Sequence, residues 1–243
     1  MDFPFEYPLY PAVFKERPNR FLAYLEKEGE IIAAHVPDPG RLKELLLPGV
    51  DVLIRHNPGP KRKTDWTLTL VRKDKVWVCI NTTLPNRFVL ELLHQKKLPE
   101  FREYPDVIPE STHGNSRFDF QLRNETATYW LEVKSVSLVS NAVGLFPDAP
   151  TVRGTKHLRH LTELVSKDVR SGVLFMVQRS DAIKFSPNWI TDPVFSQALK
   201  TANESGVEIL VYTSMISPQG ISLGKKLSFD LDNEYPLPEN SHQ

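Results

Sequence analysis

The chain has 243 residues, 40% of them hydrophobic, which is enough to build apolar cores and excludes a disordered polymer. Its 30 basic and 30 acidic residues cancel, so bulk charge singles out no nucleic-acid, membrane or acidic partner. One cysteine, Cys79, excludes an internal disulfide, a cysteine-rich zinc site and a paired redox motif, and it fits a reducing compartment.

The first residues, Met1–Glu6, form neither a basic nor a long apolar stretch, and no later apolar run approaches the ~20 residues needed to span a bilayer. A soluble, cytoplasmic protein with no membrane partner is expected. Sequons begin at Asn81, Asn124 and Asn203, but glycosylation requires secretion, so they are read as chance.

Alternating apolar and polar residues around Glu28-Gly29 predict a hairpin, with strands at Phe21–Lys27 and Glu30–Val36. A third strand is expected at Val50–Arg55. After the loop Asn57-Pro58-Gly59-Pro60, a second hairpin runs through Trp66–Val71, turns near Asp74-Lys75 and returns as Val76–Ile80. Five short strands within about 80 residues predict a small closed barrel, an architecture that includes oligonucleotide-binding modules. The first domain is therefore placed at residues 1–84.

From Asn86 the pattern changes, and Phe88–Leu93 has the dense apolar spacing of a helix, stopped near Lys96–Pro99. A second domain is placed at residues 85–243. Its expected elements are strands at Arg117–Arg123 and Thr128–Leu138, a helix over Thr155–Lys167, a strand at Gly172–Arg179, a helix opened by Asp192-Pro193 and a strand at Val207–Thr213. The two apolar runs Val173–Val177 and Val207–Val211 read as buried strands under helices, giving an α/β layer architecture with an antiparallel hairpin inside it. The polar, proline-marked tail from about residue 232 is expected to be mobile.

Chemistry concentrates in the hairpin from Arg117 to Leu138. Strict alternation sends Phe118 and Phe120 to one face and Asp119 to the other; on the second strand it puts Leu131 and Val133 inward and sets Glu132 and Lys134 side by side. Two acids and a lysine on one face can hold a hard Mg²⁺ ion and orient a water for phosphodiester hydrolysis. By spacing alone, a solvated hairpin face explains them at least as well. Basic residues gather at Arg55, Lys61, Arg62 and Lys63, which are generic phosphate-contact candidates, although a short basic run is commonly a solvated loop. Arg153 and Lys156 precede or open the next helix, where backbone N–H groups already favour an anion. His157 and His160 stand one turn apart, a pair more often found on a surface than at a metal.

The order helix, strand with Asp, strand with Glu-x-Lys, helix, strand, helix, strand resembles the core of the PD-(D/E)xK nuclease superfamily. Several stretches are similar to the sugar fermentation stimulation protein A (SfsA) family: Arg17-Pro18-Asn19-Arg20-Phe21, Pro39-Gly40-Arg41, Leu47-Pro48-Gly49, Asn81-Thr82, Asn86-Arg87, Ser116–Phe120, Glu132–Val136, Phe146–Ala149 with Thr151 and Arg153-Gly154, and Lys156-His157-Leu158. The match runs from near Arg17 to near Leu231. It implies an N-terminal OB-like β-barrel joined to a C-terminal, restriction-endonuclease-like mixed sheet flanked by helices, and a DNA-binding protein. It further implies that Asp119 and Glu132 ligate Mg²⁺ or Mn²⁺ with the Val133 carbonyl, that Lys134 positions water, and that Glu91 matches an acidic position that completes such sites.

Around His35–Arg41 this chain departs from the family pattern His-Cys-Pro-Asn-Thr-Gly-Arg, carrying Val36, Asp38 and Pro39 instead. His35 and Arg41 are kept as nucleic-acid contacts, while Asp38 would repel a phosphate. The expected activity is a metal-dependent nuclease acting on nucleic acid, DNA first and RNA second. The alternative is a non-catalytic DNA-binding regulator of sugar-metabolism genes. The sequence sets no oligomeric state.

Overall fold

The computed structural model describes residues 1–238. After a two-residue strand, β1 (Phe3–Pro4), come β2 (Tyr10–Asn19), β3 (Leu22–Lys27), β4 (Glu30–His35), β5 (Asp51–His56), β6 (Trp66–Lys73) and β7 (Val76–Cys79). Strands β2 to β6 close into a barrel, because β4 meets β6 in parallel at Ala34↔Trp66 and His35↔Thr67. Phe14, Leu25, Ile54 and Leu68 fill it, and Leu42, Leu45 and Leu46 from the loop after β4 plug one end. The ring differs from expectation in membership. Tyr10–Asn19 supplies a strand, and Val76–Cys79 lies outside the closure as the hairpin partner of β6. Pro11, Pro18 and the run Lys15-Glu16-Arg17 hide β2 from pattern reading, and its pairing with β3 is broken by register shifts on both sides of Glu16.

The second half starts with α1 (Leu84–His94). Pro85 occupies its first turn, and the Asn81 carboxamide accepts from Thr83 N–H at 3.1 Å just before it. A 3-10 turn at Pro99–Phe101 leads into β8 (Asp106–His113), β9 (Ser116–Arg123) and β10 (Thr128–Val136). Then follow β11 (Val139–Ser140), β12 (Val143–Phe146), α2 (Val152–Leu164), β13 (Val169–Val177), β14 (Lys184–Pro187), α3 (Pro193–Glu204), β15 (Glu208–Ser217), β16 (Gly220–Lys226) and β17 (Ser228–Phe229). The main sheet runs β1-β16-β15-β13-β10-β9-β8, with β10, β13 and β15 parallel at its centre. A smaller sheet has the order β11-β12-β14-β17.

Apolar cores cover both faces of the main sheet. Phe88, Val89 and Leu92 of α1 pack on one side with Leu131 and Val133; Leu158 and Leu161 of α2 and Phe195 and Leu199 of α3 pack on the other with Trp130 and Val136. The first of these cores also takes Leu53, Leu70 and Cys79 from the barrel half, so the two halves share one apolar interior. Asp192 caps α3 by accepting from Phe195 N–H at 2.9 Å, as its sequence position before Pro193 predicts. Its second oxygen accepts from Thr151 N–H at 2.7 Å and ties the start of α3 to the start of α2. The strands β8 and β16 escaped pattern reading because they are polar and partly exposed near the sheet margins. The stretch expected to be mobile from about residue 232 is packed at Tyr235 and Leu237, which lie against Leu138, Val143 and Leu145. The remainder of that expectation, beyond residue 238, lies outside the described residues.

Candidate metal and nucleic-acid site

The antiparallel ladder between β9 and β10 runs from Thr128↔Arg123 to Leu131↔Phe120 and stops there. At the next position the Asp119 side chain takes over, its Oδ2 accepting from Val133 N–H at 2.7 Å. The alternation expected for this strand breaks at the same point: Phe120 enters the core under α1, whereas Phe118 enters the core under α2 and α3. Asp119 therefore stands where the two strands part. Its other oxygen accepts from Asn86 Nδ2, in the first turn of α1, at 2.6 Å.

Glu132 is 4% exposed, which overturns the solvated-face reading of the hairpin. Its strand lies between β9 and β13 in a sheet covered on both faces. Oε1 accepts from Lys134 Nζ and from His157 Nδ1, the latter at 2.7 Å. Because a carboxylate only accepts, His157 donates from Nδ1. Glu132 Oε2 is buried and has no hydrogen-bond partner. Burial raises the Glu132 pKa, but the His157 hydrogen bond and the Lys134 charge outweigh it and hold the carboxyl below its ordinary value. Asp119 goes the other way, pushed up to about 6 by burial and then by the Glu132 charge.

Asp119, Glu132, Val133 and Lys134 line a cleft of ≈ 590 Å³ between the barrel and the second half. Arg20, Asp38 and Gly40 line it from the barrel side, and Asp148 and Arg153 from the loop before α2 and its first turn. The barrel loop is locked in place by Arg17. One guanidinium nitrogen donates to the carbonyls of Gly40 at 2.8 Å and Arg41 at 2.7 Å, the other to those of Arg20 at 2.6 Å and Asp38 at 2.9 Å. Arg41 N–H then donates to Asp148 Oδ2 across the junction at 3.0 Å. A Cβ at Gly40 would lie 2.0 Å from that oxygen, so any larger residue would push the Asp148 carboxylate out of its present position against Arg41 N–H. Asp38 is buried beside Asp148, and burial followed by that like charge pushes it up to about 6.

The other expected residues separate into groups. His35, Lys61, Arg62 and Lys63 share a second, open groove on the barrel. Arg41 has an exposed side chain at the junction of the halves. Arg55 stacks on the Tyr7 ring at 3.9 Å, and Lys156 donates to the Asn115 carbonyl at 3.0 Å; neither lines the cleft. Glu91 accepts from Gln95 Nε2 at 2.5 Å, on a different face of α1 from Asn86, and also lies outside the cleft. Asn86 and His157 are the residues that hold the two acids, and spacing gave no role to either. His157 carries a weak signal in its position five residues into α2, on the buried stripe with Leu158 and Leu161.

Among the described residues no three His, Cys, Asp or Glu side chains form a metal cage. Two carboxylates nevertheless fit Mg²⁺, which binds through one or two carboxylates and completes its shell with water and substrate phosphate. The partnerless Glu132 oxygen and the raised Asp119 pKa are both features that a bound cation would relieve.

The family description "SfsA N-terminal OB domain" matches residues 16–80, and "Sugar fermentation stimulation protein RE domain" matches residues 83–220. A sugar fermentation stimulation protein homolog of Desulforamulus reducens is 45% identical over 224 residues, covering 92% of this chain and 93% of that protein. A homolog of the same name from Acetivibrio thermocellus is 46% identical over 212 residues, covering 87% and 91%. Among solved structures, SfsA of Pyrococcus furiosus, described as in complex with Ca²⁺, superposes with a TM-score of 0.85 at 27% identity, covering 94% of this chain and 98% of that one. No helix among the described residues is long and apolar enough to cross a membrane. With both halves matched in order and relatives above 40% identity over nine-tenths of its length, the chain belongs to the sugar fermentation stimulation protein (SfsA) family.

Proposed function

We propose that this protein is a metal-dependent nuclease that hydrolyses phosphodiester bonds of nucleic acid held in the cleft between barrel and sheet. The observation that carries this reading is the Glu132 carboxylate, buried in the cleft wall with one oxygen hydrogen-bonded twice and the other without a partner. A binder of phosphate gains nothing from two buried acids facing its ligand, whereas a cation site needs them. The Ca²⁺ named for the Pyrococcus furiosus relative supports a hard-cation site, because Ca²⁺ and Mg²⁺ share oxygen ligands.

Asp119, Glu132 and the Val133 carbonyl are the groups of the cleft wall that would hold the ion. The chemistry that Mg²⁺ or Mn²⁺ would supply there is Lewis-acid polarisation of the phosphodiester and activation of the attacking water. Lys134 brings an ammonium to the same wall, where it orients the attacking water and offsets charge that develops on phosphorus. Arg20 and Arg153 reach the cleft from opposite halves and grip the phosphates that flank the scissile bond. Asn86 and His157 fix the rotamers of the two acids.

The test is a panel of labelled DNA and RNA, single- and double-stranded, incubated with Mg²⁺, Mn²⁺ or EDTA. Cleavage confined to the metal-containing reactions supports the reading. Salt-sensitive binding with no cleavage in any metal would replace it with a DNA-binding regulator of sugar-metabolism genes.

His157 gives a second check. Asparagine places an N–H at the same bond separation from Cα as His157 Nδ1, so His157→Asn keeps the donor to Glu132 whereas His157→Leu removes it. Calorimetric titration with Ca²⁺ is expected to show affinity close to wild type for the first variant and a loss of roughly 10- to 100-fold for the second. Equal affinity in His157→Leu would mean that the histidine does not position the ligand.

A further inference from the structure

Away from the carboxylates, the turn between β8 and β9 lies over α2 and brings two histidines together. His113 Nδ1 and His160 Nε2 face each other at 3.2 Å. Aromatic side chains of the core back both rings. His113 meets Trp130 edge to face at 5.4 Å between centroids, and His160 meets Phe118 at 5.2 Å. Lys156 Nζ donates to the Asn115 carbonyl at 3.0 Å and holds the same turn to α2. Two ring nitrogens from separate elements are thus fixed toward one point.

Two nitrogens bound to one tetrahedral Zn²⁺ stand about 3.3 Å apart at ordinary Zn–N bond lengths, so the spacing fits a shared ion. It also fits a hydrogen bond in which one ring donates and the other accepts, and a metal takes the place of that single proton. The surroundings decide which class of metal can do so. Both histidines line a cavity of ≈ 780 Å³ together with Lys156, Arg159, Glu163 and Asp192. The Asp192 oxygens accept from Phe195 and Thr151 N–H, which leaves Glu163, one turn beyond His160 on α2, as the acid able to add a third ligand. The Lys156 and Arg159 charges repel an ion held by charge alone. Mg²⁺ and Ca²⁺, which take oxygen ligands, are therefore poorly served, whereas imidazole nitrogens suit Zn²⁺, Ni²⁺ or Cu²⁺. Since no three such side chains converge among the described residues, water completes the shell.

We propose that His113 and His160 together hold one transition-metal ion of the Zn²⁺ class, and that this ion staples the β8–β9 turn to α2. The site is separate from the carboxylates and does not depend on the nuclease reading. It bears on them through α2, which also carries His157, the donor to Glu132.

The experiment is calorimetric titration of Zn²⁺ into the whole chain in excess Mg²⁺, which competes for the carboxylates and not for the histidines. Wild type and Glu132→Gln are each expected to take up one Zn²⁺ per chain. His113 is exposed on its turn, so His113→Ala keeps the fold, which circular dichroism without metal checks. Its Zn²⁺ affinity should fall by at least the roughly 10- to 100-fold that loss of a ligand's outer-shell partner already costs, and His160→Gln should behave alike. Zn²⁺ is expected to raise the Tm of wild type and of Glu132→Gln, and to leave that of His113→Ala unmoved.

No Zn²⁺ uptake by the wild type, or undiminished uptake in His113→Ala and His160→Gln, overturns the assignment. Uptake that is lost in Glu132→Gln and kept in His113→Ala overturns it as well, by putting the Zn²⁺ on the carboxylates. Each of these results leaves the nuclease reading, which is tested by cleavage with Mg²⁺ or Mn²⁺, standing.

Discussion

Glu132→Gln is expected to reduce metal-dependent phosphodiester cleavage by at least ~10³-fold, and Asp119→Asn by a similar factor, with each fold intact. Glutamine keeps an Oε1 that can accept from Lys134 and His157, but it puts an NH₂ where the partnerless Oε2 stands. A cation meets a donor there instead of a lone pair. Asparagine at position 119 can still accept from Val133 N–H through its one oxygen, but it loses the charge. Asp119→Asn removes an acid whose pKa is raised and should not lower thermal stability, whereas Glu132→Gln leaves Lys134 without its buried charged partner and is expected to lower it. Circular dichroism at the assay temperature checks that each variant is folded. Cleavage within a few-fold of wild type in either variant would remove that residue from the mechanism.

Asp38→Asn is expected to stabilise the protein at pH 8 by about 2 to 3 kcal/mol. The sign follows from the direction of the pKa shift. Asp38 is raised from 3.8 to about 6 by burial and then by Asp148, so above pH 6 the folded state carries an ionised acid that the unfolded state solvates freely. As the pH falls from 6 toward the ordinary value of 3.8 the cost shrinks, most of it has gone by pH 4, and it vanishes below that value, where the acid is protonated in both states. The Arg17 guanidinium gives little relief, since its hydrogen bonds go to carbonyls and not to the carboxylate. Asparagine is neutral throughout and its oxygen can still accept from Gly40 N–H, as Asp38 does at 2.7 Å. Urea unfolding at pH 8 and pH 4 measures the difference. A gain of the same size at both pH values would mean that ionisation of Asp38 is not its source.

Much of the architecture was legible because periodicity is a backbone property. The barrel hairpins, the three helices and the central strands follow from alternation, from Asp192-Pro193 and from the apolar runs at Val173 and Val207. Strands with Pro11, Pro18 or mostly polar residues did not follow, because their pairing is decided by partners distant in sequence. The acids of the site were visible as a motif, but their environment was not. Alternation placed Glu132 on a solvated face, and only the helices that cover the sheet bury it against His157. Glu91 shows the limit of transfer by resemblance, since the polar residue that α1 extends to Asp119 is Asn86. Arg20, Asp38 and Asp148 enter the cleft only through the docking of barrel on sheet, which no local pattern encodes.

The most direct measurement is a single-turnover assay of purified wild-type protein and Glu132→Gln on end-labelled DNA and RNA, each with Mg²⁺, Mn²⁺ or EDTA. The account predicts cleavage by the wild type that requires the metal and is lost in the variant. Cleavage that persists in EDTA or in Glu132→Gln, or no cleavage of any substrate with either metal, would contradict it.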